Sequence, residues 1–168
     1  MKKTLIVLSV ALLGQVTFAQ AATDWTPHLK PMLSGCNFSN DPDKLPARYK
    51  ASIASKKVRV DSTDYGVDDY EGDTITTYHL KNATAFGHPL SKVEYLQGYE
   101  WGHLKLYFKD SKFTALRPQF KLPKDNKQHG EYITVIKNNA SGYEVEDIGY
   151  VTLAFNSKEK SIVCDSGI

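Results

Sequence analysis

From Gly102 to Lys109 the chain alternates without a break. Leu104, Leu106 and Phe108 fall on one side, and His103, Lys105, Tyr107 and Lys109 fall on the other. A period of two over that length specifies an antiparallel strand with one face in a core and one face polar. Upstream, Gly87 to Gln97 reads as the first arm of a β-hairpin of which this strand is the second. The turn between the arms, Gln97-Gly98-Tyr99-Glu100-Trp101-Gly102, carries two large aromatics where polar turn residues are usual. A half-buried strand needs a second layer over its apolar side, and the rest of the sequence has to supply it.

The N-terminal third supplies short helical pieces. Thr26-Pro27 starts one helical turn or two, limited by Pro31, with Trp25, Leu29, Met32 and Leu33 on a buried face. Asp43 caps a second helix predicted over 44–55, in which Leu45, Tyr49 and Ile53 keep i, i+4 spacing. The remainder is β. Strands are predicted at Lys57–Val60, Thr74–Leu80, the two hairpin arms, Glu131–Lys137, Tyr143–Glu146, Tyr150–Phe155 and Ser161–Cys164. Pro118 to Gly130, rich in lysine and holding two prolines, reads as a loop. Gly102–Lys109 aligns with Gly149–Asn156, and Leu80–Thr84 with Ile136–Ser141, which suggests two related βββ units; chance similarity of amphipathic strands is the competing explanation. The expected fold is α+β: short N-terminal helices packed on one antiparallel meander sheet of six to eight strands.

Met1-Lys2-Lys3, the apolar run Leu5–Leu13 and the small residues near Ala19 and Ala21 make a secretory signal peptide. Its apolar core is too short to span a bilayer, which takes about 20 residues. Cleavage after Ala19 or Ala21 fits, with Ala21 favoured, so residues 1–21 form the signal and 22–168 one domain. No second long apolar run follows, and the expected product is soluble and periplasmic or secreted. Removing Lys2 and Lys3 lowers the formal net charge from +2 to 0. A neutral domain has no general attraction for phosphate backbones, which argues against nucleic acid. In an oxidising compartment two cysteines, Cys36 and Cys164, are expected to form one disulfide joining the ends of the domain. Leu33-Ser34-Gly35-Cys36 also spells a lipobox, but it stands far beyond the apolar core that must precede such a site.

Few chemistries are written in this chain. It has no nucleophile elbow, no H-E-x-x-H, no C-x-x-C and no phosphate loop. The five histidines (His28, His79, His88, His103, His129) are scattered, and no catalytic residue, cofactor or resident metal is expected. Asp61, Asp64, Asp68, Asp69, Glu71 and Asp73 gather acid groups that a calcium ion would accept, but without the loop pattern that would make this specific. A solvated turn is the simpler reading. Lys112, Arg117, Lys121, Lys124 and Lys127 form a basic stretch against that acidic one, an arrangement that orients a partner. The strongest lead is aromatic. Tyr95, Tyr99, Trp101 and Tyr107, with His103 beside them, are the kind of anchors that dominate protein–protein contacts and also stack on sugars; packing of Trp101 back over the sheet is the alternative.

The chain resembles small exported proteins of Gram-negative bacteria that carry a signal, one disulfide and a helix-plus-sheet domain. Phe86-Gly87-His88-Pro89-Leu90 and Leu104-Lys105-Leu106-Tyr107-Phe108 carry that resemblance. In architecture alone, helices followed by a β-meander are similar to β-lactamase-inhibitor-like modules, and no residue role transfers on that basis. The expectation is a non-enzymatic binding protein, such as an inhibitor or immunity protein against a hydrolase. An envelope-associated structural module and a glycan or peptidoglycan-fragment binder are the alternatives.

Overall fold

The computed structural model describes residues 21–39, 41, 44–61, 72–125, 132–146 and 148–168. Residues 1–20, all but the last residue of the predicted signal 1–21, lie outside them, as do most of the acidic segment (Asp64, Asp68, Asp69, Glu71), Lys127 and His129. The described residues form nine strands: β1 (Thr23–Asp24), β2 (Ile53–Asp61), β3 (Asp73–Ala85), β4 (His88–Gln97), β5 (Trp101–Phe108), β6 (Thr134–Asn139), β7 (Gly142–Glu146), β8 (Tyr150–Asn156) and β9 (Ser161–Gly167). Helices among the described residues are short: α1 (Thr26–Leu29), α2 (Ala47–Lys50) and the 3-10 segments Lys30–Leu33 and Lys112–Gln119.

All nine strands join one sheet in the order β1-β3-β4-β5-β9-β8-β7-β6, with β2 also on β3. The α+β expectation holds. Two details differ. The sheet has more strands than predicted, and it is mixed, because β1 runs parallel to β3 at Ala83 and Thr84. β3 serves both edge strands in turn: it pairs with β2 up to Leu80, bulges beyond His79 with Asn82 at φ 47°, and then meets β1. The bulge re-aims the strand. The helix predicted over 44–55 shrinks to α2. Leu45 and Tyr49 do enter the core, at 5 % and 1 % exposure, but from Ile53 the chain pairs with β3 in a ladder that satisfies its backbone groups.

One face of the sheet is the core face. Tyr78, Val93, Leu106, Ile162 and Phe155 form one cross-strand row on it, and Tyr95, Leu104, Cys164, Leu153 and Tyr143 form the next. Trp25, Leu29, Met32 and Tyr49 cover these rows from the N-terminal helices, and Phe113, Leu116 and Phe120 cover them from the second 3-10 segment. The phenylalanines interlock: Phe113 stacks on Phe108 at 4.9 Å between ring centres, and Phe120 meets Phe155 edge-on at 5.4 Å. Cys36 and Cys164 form the expected disulfide, tying the helical layer to β9 across 128 residues of sequence.

The notion of two related βββ units does not survive the topology. Seen from the core face, β3-β4-β5 proceeds across the sheet in one direction and β6-β7-β8 proceeds in the other, while β3 and β6 point the same way. The two meanders are mirror-related in connectivity, and no rotation superimposes them with both apolar faces inward. The likeness of β5 and β8 therefore reflects a shared job: both flank β9 and bury Leu-x-Phe on the same face.

Candidate functional site

The second face of the sheet is polar. Across it run Lys57, Thr77, Glu94, Lys105 and Val163 in one row, and Arg59, Ile75, Leu96, His103, Asp165, Thr152 and Glu144 in the next. The alternation of β5 places Trp101, His103, Lys105 and Tyr107 here.

The structure divides the five aromatic-cluster residues into three groups. Tyr95 belongs to the other face. It is 1 % exposed, packs edge-on against Tyr78 at 6.0 Å and shares a hydrogen bond of 3.1 Å with His28 Nε2. Burial pushes its hydroxyl pKa up, so the phenol stays protonated. Tyr95 is a core residue, because its position in β4 has the parity of Val93 and not that of Glu94. His103 and Tyr107 do stand on the polar face, but within a network of their own. His103 Nε2 lies 3.1 Å from Glu94 Oε1, whose second oxygen accepts from Thr77 at 3.4 Å. Lys92 Nζ sits 3.7 Å above the Tyr107 ring, and Lys105 pairs with Glu159 at 2.9 Å. The hydrogen bond from His103 holds the Glu94 carboxyl below its ordinary value, against the opposing effect of burial and with help from His103, Lys105 and Lys92.

Tyr99 and Trp101 remain at the hairpin tip. Gly98 N–H donates to Trp101 O at 2.8 Å, and Glu100 takes φ 65° to close the turn. The indole lies over Gly98, where a Cβ would come within 2.2 Å of its Nε1. Packing of Trp101 back on the hairpin is therefore real, and it leaves the ring half-buried beside a groove of about 440 Å3. The groove is lined by Trp101, Tyr150, Ser166, Gly167 and Ile168 among others. Gly167, on β9, is Cα partner to Trp101 on one side and to Tyr150 on the other. Its missing side chain is what lets the two aromatics lean in: a Cβ there would meet Tyr150 Cε1 at 2.8 Å and Trp101 Cβ at 2.9 Å. Tyr150 donates its hydroxyl to Asp165 Oδ1 at 2.9 Å, and its pKa is pushed up to about 12 by burial and by that bond. Gly149 rests against Gly167 and Ile168, which brings the β7–β8 turn with Ile148 to the same end.

Five exposed or half-exposed apolar residues thus lie toward one end of the sheet: Trp101, Tyr150 and Ile168 line the groove, and Tyr99 and Ile148 stand on the adjoining turns. Ile148 is 74 % exposed and Ile168 is 80 % exposed. Sequence reasoning found Tyr99 and Trp101 and missed the others, because their proximity depends on β9 lying between β5 and β8. The usable signal was glycine: Gly149 and Gly167 are both positions of close approach.

Of the predicted basic stretch, Arg117 is internal scaffolding. It donates to the carbonyls of Phe120, Asn139 and Gly142 and to Asn138 Oδ1, holding the 3-10 segment to the β6–β7 hairpin. Lys121 Nζ donates to Pro118 O. Among the described residues no three His, Cys, Asp or Glu side chains are grouped as a metal ion would require. None of their helices is long and apolar enough to cross a membrane. The buried Cys36–Cys164 bond is compatible with an oxidising compartment. Compared with protein-family models, with curated proteins and with solved structures, the chain finds no match.

Proposed function

We propose that the mature chain is a non-enzymatic binding protein of the periplasm or the secreted fraction, which holds a protein partner against the aromatic end of its sheet. The observation that carries this reading is a groove of about 440 Å3 lined by Trp101, Tyr150 and Ile168, from three separate stretches of chain, with the exposed Tyr99 and Ile148 next to Glu100 and Gly149 at the same end of the sheet. Tyrosine and tryptophan anchors beside a concavity, with polar residues around them, are the usual composition of an interface centre. Trp101 and Tyr150 are presented from strands β5 and β8, so little ordering is needed on association. Inhibition of a hydrolase, or immunity to one, is the most specific form of this reading, in which the hairpin tip with Tyr99 and Trp101 occupies the partner's cleft.

Affinity capture from envelope and culture extracts, with the disulfide-intact mature chain as bait, names the partner. Titration of the purified partner then measures the contribution of the anchors. Binding is expected to weaken at least tenfold for the Trp101→Ala/Tyr150→Ala double variant, with an unchanged circular dichroism spectrum. Equal affinity of variant and parent would return the aromatic end to a packing role. Quenching of tryptophan fluorescence by oligosaccharides, with no protein captured, would favour the glycan reading of the same groove.

A further inference from the structure

β2 forms the outer boundary of the sheet along most of one side. Its inner edge pairs with β3, and among the described residues nothing pairs with its outer edge, because β1 meets β3 farther along, at Ala83 and Thr84. An antiparallel edge strand aims the N–H and C=O of every second residue away from the sheet, which makes it a template for one more strand. The side chains of β2 are sorted by the same alternation. Lys57 and Arg59 stand on the polar face, opposite Thr77 and Ile75. Val58 and Val60 stand on the other face, opposite Thr76 and Thr74, and each valine is 55 % exposed.

Lys57, Arg59, Ile75, Thr77 and Glu94 line a groove of about 270 Å3 on the polar side. The Glu94 carboxylate in that groove is already engaged by His103 and Thr77. Arg59 reaches Asp61 only at 3.5 Å, with both side chains more than 60 % exposed, a pairing that contributes little. Two cations therefore face the groove available to an anion. Charged edge residues are a common guard against unwanted pairing. Two exposed β-branched side chains in line on the opposite face run against a purely protective role, since they reward pairing.

We propose that the outer edge of β2 takes up an extended segment of a partner protein as a further strand, and that this segment alternates acidic with aliphatic residues. In such a strand alternate side chains fall on alternate faces. Carboxylates then meet Lys57 and Arg59 while aliphatic groups cover Val58 and Val60, and the backbone ladder continues outward. A nucleic acid or an anionic lipid surface supplies charge but cannot extend a backbone ladder.

The test uses the disulfide-bonded mature chain and a capped eight-residue peptide alternating glutamate with valine, followed through backbone amide shifts in NMR. Saturable shifts are expected in β2 and in the facing residues of β3. Lys57→Glu/Arg59→Glu, at two exposed positions, is expected to weaken binding at least tenfold, and N-methylation of alternate peptide amides along one edge is expected to abolish it. The proposal is overturned by no binding at millimolar peptide, or by equal binding of a peptide with the same residues in two blocks. It is equally overturned by unchanged binding to the charge-reversed variant, or by shifts centred on β6. Because the peptide carries no aromatic anchor, the result stands apart from the fate of the aromatic end.

Discussion

Glu94 and Tyr95 are neighbours in sequence with opposite fates, and each makes a distinct prediction. Glu94 lies on the polar face with its carboxyl held below the ordinary value, chiefly by the hydrogen bond to His103. A folded-state pKa below the unfolded one contributes stability that is fully present above the unfolded value and lost as pH falls through the folded one. Glu94→Gln is therefore expected to cost about 1.5–3 kcal/mol at pH 7, the scale of a hydrogen bond to a charged group. The difference from the parent should narrow as urea titrations are taken below pH 4.5, the ordinary value for a glutamate. Tyr95→Phe should cost about 1 kcal/mol through loss of the bond to His28 while leaving partner binding intact. Tyr99→Ala, at a tip residue 39 % exposed, should leave stability within about 0.5 kcal/mol. A Tyr99 variant as destabilised as a core truncation would contradict this division. The alternation of Leu104, Leu106 and Phe108 already decided which face His103 and Tyr107 occupy. It did not decide Tyr95, because Val93-Glu94-Tyr95-Leu96 has apolar residues of both parities, and Leu96 is buried on the polar face beside Ile75 and His103.

Among the elements, the glycines at strand ends set how closely β5, β9 and β8 bring their side chains together. Gly167→Ala would put a methyl group between Trp101 and Tyr150. The expected cost is about 1–3 kcal/mol of overpacking, with a shift in tryptophan emission and weakened partner binding even though neither anchor has been changed. Gly142 is stricter. It sits at φ 141°, and a Cβ would lie 1.8 Å from Leu153 O. Gly142→Ala should destabilise by at least about 2 kcal/mol, seen as a lowered denaturation midpoint with an unchanged m value. The Phe86-Gly87 turn shows the opposite economy. Phe86 accepts φ 52° in a two-residue hairpin turn, and its ring packs against Phe120 at 5.9 Å while its N–H donates to Thr26 Oγ1. The hairpin arm read from Gly87 matches β4, which begins at His88. Pro89 reads locally as an interruption, and its place opposite Thr84 makes it part of the strand.

For the molecule as a whole, the disulfide is the long-range constraint. It closes a loop spanning 128 positions, for which the chain-entropy account gives about 5 kcal/mol. The bond fastens Cys36, three residues beyond the first 3-10 segment, to β9, the strand on which the two halves of the sheet meet. Cys36→Ser/Cys164→Ser is expected to lose about 2–5 kcal/mol and to lower Tm by roughly 10 °C in a domain of this size. A drop of only a degree or two would mean that the layers are held by packing alone.

By itself the sequence determined the two-layer plan, the half-buried strands, the cysteine pair and the hairpin that carries Tyr99 and Trp101. Each of these follows from local periodicity, from turn chemistry or from a count of two thiols. Tertiary structure alone decided the rest. It inserted β9 between β5 and β8, reversed the second meander relative to the first, and left the outer edge of β2 unpaired among the described residues. It therefore chose Tyr150 and Ile168 as companions for Trp101 in the groove. Strand order is set by which ladders close over a shared core, and that is an energy of the whole chain that no window of residues contains.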